Sequence, residues 1–157
     1  MLNKKKNNKG FTLVELLVVI AIIGVLAVVA VPALFKNIEK GKIASLEADI
    51  SAIRSASLSY YADKAAYPEL AEATSDVNEI ITAFGNELEG IRNPYDAKFN
   101  LTGTTVGGDL KLIITIPPDK SISADGTTKL EKELTGIGTI SGNIITVTLI
   151  KGASAGN

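Results

Sequence analysis

One apolar stretch dominates what this chain can become. Leu16–Val31 is a run of sixteen residues with no charged or polar side chain, and Pro32-Ala33-Leu34-Phe35 extends it. Lys4, Lys5, Lys6 and Lys9 stand ahead of it, and a lone carboxylate, Glu15, sits at its start. Phe11–Phe35 is 25 residues. As an α-helix it reaches about 37 Å, enough to cross a hydrocarbon layer of about 30 Å. Lysines ahead of such a span keep that end on the cytoplasmic side. A carboxylate at the centre of a spanning helix costs about 2.5–3.5 kcal/mol on insertion scales. Glu15 lies nearer the edge, where the cost is lower, but it still requires a partner.

The string Lys9-Gly10-Phe11-Thr12-Leu13-Val14-Glu15-Leu16 resembles the type IV prepilin signature, over about Lys9–Phe35. The resemblance implies a leader, residues 1–10, removed by a membrane-embedded prepilin peptidase that cuts between Gly10 and Phe11. It implies N-methylation of the new Phe11 amine, and pairing of Glu15 with the N-terminal amine of a neighbouring subunit during assembly. Residues 11–35 then serve first as a transmembrane helix and later as filament core, with residues 36–157 as the globular domain. Between Gly24 and Pro32 the helix is expected to kink or, inside a filament, to melt. Pro32 lacks an amide hydrogen and crowds the carbonyl four residues back, which puts a bend near Val28. Both residues are also tolerated in membrane helices.

The function so implied is structural: a type IV pilus subunit, polymerised into a surface filament for adhesion, aggregation and twitching motility. Its partners are copies of itself, the peptidase, the pilus assembly machinery and, before assembly, the cytoplasmic membrane. The location is single-pass in that membrane with the leader inside, then the extracellular pilus. Two alternatives stand beside this. One is a pseudopilin of a type II secretion system or competence pilus; the other is a membrane-anchored surface-binding protein that never polymerises. An ordinary secretory signal is cut after its apolar region, and Ala27-Val28-Val29-Ala30 imitates such a site. The glycine here lies before the apolar run, so the prepilin order of parts fits better.

Composition narrows the field. Without residues 1–10 the chain keeps 12 basic and 17 acidic side chains, a balance of −5. That argues against nucleic-acid binding through bulk charge. Cysteine and histidine are both absent. Ser-His-Asp and Cys-His chemistry and zinc sites with such ligands are therefore excluded, and no enzyme or cofactor is expected. Lack of cysteine departs from pilins with a C-terminal disulfide and resembles those of Gram-positive bacteria. In Ser121-Ile122-Ser123-Ala124-Asp125-Gly126, a calcium-loop reading with Gly126 sixth puts Lys132 where a bidentate glutamate belongs. No metal is expected, and Asp119 and Asp125 stay only as candidates for calcium. Asn100-Leu101-Thr102 is a glycosylation sequon in form, taken as chance.

Beyond Phe35 the pattern predicts an amphipathic helix with Ile43, Leu46, Ile50, Ile53, Ser57 and Tyr60 or Tyr61 on its apolar face. Lys36, Glu39, Lys40, Lys42, Glu47, Asp49 and Arg54 fall mostly off that stripe. One helix from about Phe11 to Ala62 is expected, near 75 Å long. A second helical pattern covers Ala71–Leu88, with Asp76 and Glu79 spaced as a capping box. Arg92–Asp96 reads as a turn, in the region that is the variable exposed loop of pilins. Strands are expected at Phe99–Thr102, Leu110–Ile116, Ile137–Ile140 and Ile144–Ile150. A turn falls at Gly107-Gly108-Asp109, a hairpin turn at Ser141-Gly142-Asn143, and helical turns within Thr127–Leu134. The fold class is α+β: a long N-terminal helix packed on a small antiparallel sheet of three or four strands.

Overall fold

The computed structural model describes residues 10–85, 88, 90–103 and 108–152. The chain divides into two compact units, Met1–Ile38 and Glu39–Asn157. Helix α1, Leu13–Lys64, begins in the first and ends in the second, close to the span expected. Helix is continuous through Gly24 and Pro32. It stops where Ala65 turns to a positive φ of 50° while its amide still bonds the Tyr61 carbonyl.

In the second unit, Ile43, Leu46, Ile50, Ile53, Ala56 and Ser57 of α1 are buried. This is the predicted stripe; each aliphatic side chain fully taken out of water contributes about 1.5–3 kcal/mol. Opposite lies a four-stranded antiparallel sheet of β1 (Lys98–Thr102), β2 (Leu110–Thr115), β3 (Gly138–Ser141) and β4 (Ile144–Ile150) in the order β1-β2-β4-β3. Register places Phe99 beside Ile114 and Ile114 beside Ile145; Leu101, Leu112 and Val147 form the next row. Those six side chains are buried, while Asn100, Ile113 and Thr146 between them are only partly so. The period-2 alternation thus turns one face to α1 and the other to solvent. β3 and β4 form the expected hairpin, turning at Gly142 (φ 59°).

Three expectations need correction. The second helix, α2, is only Val77–Ala83. Residues ahead of it are not helical, because Thr74 exchanges two backbone hydrogen bonds with Phe99 (3.0 and 2.7 Å) and so covers the outer edge of β1. Asp76 does cap α2, accepting the Asn78 amide at 2.8 Å. Secondly, of Tyr60 and Tyr61 it is Tyr61 that packs against the core, and only half-buried; the fully buried tyrosines are Tyr67 and Tyr95. Tyr61 lies against Tyr67, with ring centroids 5.3 Å apart. Thirdly, the segment between helix and sheet is not an exposed loop. Tyr67, Ile80, Phe84, Leu88, Ile91, Tyr95 and Ala97 all enter the core.

What holds that segment is a buried carboxylate. Asp49, on α1, is 2% exposed. Its Oδ1 accepts the Arg92 amide at 3.0 Å and its Oδ2 the Asn93 amide at 2.8 Å. Asn93 adopts a φ of 46°, its side-chain oxygen accepts the Ala97 amide, and its Nδ2 donates to the Ala97 and Ser75 carbonyls. Helix α3 (Ala124–Glu133) is capped by Ser123, which accepts the Gly126 amide. It is tied to α1 by the Ser123 amide donating to Glu39 (2.7 Å) and by Lys129 pairing with Glu47 (3.3 Å). The turn expected at 107–109 lies partly outside the described residues, since Gly107 is not among them, and so does the tail beyond Gly152.

Candidate functional site

Gly10 and Phe11 are exposed and lie ahead of the helix, in non-helical backbone. The bond at which cleavage is expected thus lies outside regular structure, as a peptidase requires. Residues 1–9 of the expected leader lie outside the described residues.

Thr12 and Glu15 then open α1 with a reciprocal exchange. The Thr12 amide donates to Glu15 Oε2 at 2.8 Å, the Thr12 hydroxyl donates to the same oxygen at 2.8 Å, and the Glu15 amide donates to Thr12 Oγ1 at 3.2 Å. The Leu16 amide reaches back to the Thr12 carbonyl. This is the capping box of a Thr-x-x-Glu sequence, and it satisfies amides that the first helical turn would otherwise leave open. The Thr-x-x-Glu spacing of Thr12-Leu13-Val14-Glu15 carries this local partner in the sequence itself, beside the partner expected from another subunit.

From Leu16 to Phe35 the helix is apolar on every side. Phe11, Leu13, Val14, Leu16, Leu17 and the large side chains onward to Ile38 are between 46% and 93% exposed. The only other strongly exposed large hydrophobic side chains among the described residues are Leu58 and Ile144. A patch this large is far beyond what a water-facing surface carries, so its natural surroundings are apolar. Gly24 has no neighbouring atom within 4 Å of where a Cβ would stand, which leaves space at that point of the helix surface. Pro32 lies inside the helix.

Asp119 lies in the short 3-10 turn Pro118–Lys120 and Asp125 in the first turn of α3. Among the described residues no three acidic side chains gather as a metal site would require. Lys120 pairs instead with Asp96, and this hydrogen bond holds the Asp96 carboxyl below its ordinary range and raises the Lys120 ammonium.

Two family profiles match the chain: one described as the prokaryotic N-terminal methylation motif, over residues 5–31, and one described as PilW, C-terminal, over residues 37–110. The type II secretion system core protein G of Klebsiella michiganensis is 32% identical over 111 residues, covering 70% of this chain and 76% of that protein. The chain belongs to the type IV pilin and pseudopilin family. Similarity extends to the type IV major pilin protein PilA of Myxococcus xanthus, 38% identical over 64 residues. That alignment covers 41% of this chain and 29% of the relative, so the chain spans less than a third of the Myxococcus protein. The structure of the major type IV pilin PilA1 from Clostridium difficile superposes with a TM-score of 0.56 over 73% of this chain and 98% of that one. At 22% identity it speaks for the fold: a pilin's long helix on an antiparallel sheet.

Proposed function

We propose that this pilin-family chain is the structural subunit of a type IV pilus. It is held in the cytoplasmic membrane by residues 11–35, cut between Gly10 and Phe11 by prepilin peptidase, methylated on the Phe11 amine, and polymerised with copies of itself. The observation that carries this is the union of two parts in one molecule. One is a domain with its own buried core, every member of it from Ile43 onward. The other is a helix start whose apolar side chains find no cover in the single chain. Lipid covers them before assembly and other copies of the helix cover them afterwards. Burial in a filament exchanges one apolar environment for another, so close packing and the pairing of charges must select the filament.

Cleavage creates a cation at Phe11, and the only carboxylate of the apolar segment is Glu15. Pairing of a neighbour's Glu15 with that amine removes two isolated charges together; breaking such a pair from one side costs about 3–5 kcal/mol. Glu15→Ala is therefore expected to leave processing intact and to cut the number of surface filaments sharply, scored by electron microscopy with antibody against this chain. Normal filaments made of the mutant chain would overturn the role of Glu15. Absence of wild-type chain from any filament would overturn polymerisation and leave an anchored surface protein. A second reading, the pseudopilin of a secretion system, is favoured by the extent of the match to core protein G. It predicts loss of a secreted substrate, rather than of surface filaments, when the chain is deleted.

A further inference from the structure

Glu15 is already engaged in the single chain, and engaged unevenly. Both contacts from Thr12 fall on Oε2, while Oε1 has no donor among the described residues. A carboxylate offers about four lone-pair sites, so an oxygen without a donor is the one able to receive a further cation. The hydroxyl of Thr12 is itself fixed, because its oxygen accepts the Glu15 amide while its hydrogen goes to the carboxylate. Every group in this arrangement lies on the C-terminal side of the Gly10–Phe11 bond and survives cleavage there.

We propose that Thr12 is a positioning residue for assembly: its hydroxyl holds Oε2 of Glu15 and so presents Oε1 to the Phe11 amine of an adjacent copy. The proposal rests on the pairing reading above. Its physical content is twofold. In the membrane the box supplies the carboxylate with donors where water is scarce, so Glu15 stays satisfied before a neighbour arrives. On assembly a side chain already held in one rotamer loses less freedom than a free glutamate would. The hydroxyl is the operative group: valine of the same shape keeps the backbone donor and loses the hydroxyl, whereas serine keeps both.

The test compares Thr12→Val and Thr12→Ser in cells, beside Glu15→Ala. With processed chain at wild-type level by mass spectrometry, Thr12→Val is expected to lower filament number about tenfold, the change that 1.4 kcal/mol of lost interaction brings. Thr12→Ser, which keeps the hydroxyl, is expected to stay within about twofold of wild type. Wild-type filament numbers from Thr12→Val, with Glu15→Ala deficient, overturn this proposal alone; normal filaments from Glu15→Ala overturn the pairing and this proposal with it. An equal loss in Thr12→Ser and Thr12→Val also overturns it, since the hydroxyl would then be irrelevant. Should Thr12→Val impair processing, the ¹³C carboxyl resonance of Glu15 in the purified full chain in detergent micelles decides. It is expected to move in Thr12→Val and to stay in Thr12→Ser, and an unmoved resonance in both overturns the contact.

Discussion

Removing the Asp49 carboxylate should be among the most damaging single changes available to the globular unit. Asp49→Ala deletes two hydrogen bonds to a charged acceptor and leaves the Arg92 and Asn93 amides without a partner. Each amide so orphaned costs about 1–3 kcal/mol, with the lower end for a group that water can reach and the upper end for a buried one. Arg92 is exposed as a residue and Asn93 is buried. Release of a carboxylate from burial offsets part of this loss. A net destabilisation of about 3 kcal/mol follows, against a total of about 5–15 kcal/mol for a domain. In a unit of this size that is a fall in Tm of about 12 °C. Asp49→Asn keeps one acceptor but turns an NH₂ group toward the second amide, and is expected to cost about 2 kcal/mol. Urea unfolding followed by circular dichroism, on a chain beginning at Lys36, measures both; that truncation removes no core side chain. Hydrogen exchange at Arg92 and Asn93 should accelerate in step. If Asp49→Ala unfolds within about 0.5 kcal/mol of the parent chain at unchanged m-value, the carboxylate is not what holds the segment.

Burial, reinforced by the negative charge of Glu39, pushes the Tyr95 phenol up from 10.0 to about 12. The native state therefore holds this proton more tightly than the unfolded chain does. The resulting stability is complete below pH 10 and disappears as pH rises through about 12. Unfolding measured across that window should show the loss, and Tyr95→Phe should remove it. A Cβ on Gly103, at a φ of 86°, would overlap the Asp109 carbonyl oxygen, so Gly103→Ala should destabilise by about 2–3 kcal/mol. Gly41 is helical with nothing near its Cβ position, and Gly41→Ala should stabilise by about 0.5–1 kcal/mol in the same unfolding assay. Mass spectrometry of the chain from membranes should give an N-terminal methylated Phe11, and replacing Gly10 by a bulky residue should leave uncut precursor.

The parts legible in the sequence are those where one period governs a whole element. Ile43, Leu46, Ile50 and Ile53 repeat at helical spacing and are buried as that spacing demands. Leu110, Leu112 and Ile114 alternate and face inward. The hairpin turn at Gly142 and the helix cap at Asp76 follow from local chemistry, whereas the cap at Ser123 stands where a loop was expected. Misreadings cluster where distant residues decide. Thr74 is extended because Phe99 offers it hydrogen bonds, and nothing in Ala71–Asp76 announces that. Asp49 looked like another solvated charge, since its partners are backbone amides 43 and 44 positions away. At the site, Gly10, Phe11 and Glu15 were legible as a motif. The part of Thr12 is less legible, because a charge ahead of an apolar run points to an intersubunit partner while the same charge also closes the helix end three residues away.

The strand order has a consequence for timing. β4 lies between β2 and β3 and is the last described strand to be synthesised. Until Ile144–Ile150 is available, β2 has a bare edge, β3 has no partner, and the places of Ile145, Val147 and Leu149 in the core stand open. The apolar helix start, in contrast, is made first and needs nothing downstream to enter a membrane. On the proposed reading the two parts commit at different moments: the apolar helix start during synthesis, the sheet only once the last described strand is in place. On the membrane reading, a domain that must end up on the far side of the bilayer stays unlocked until its last strand arrives, so it can be threaded across as an unfolded chain and close after crossing.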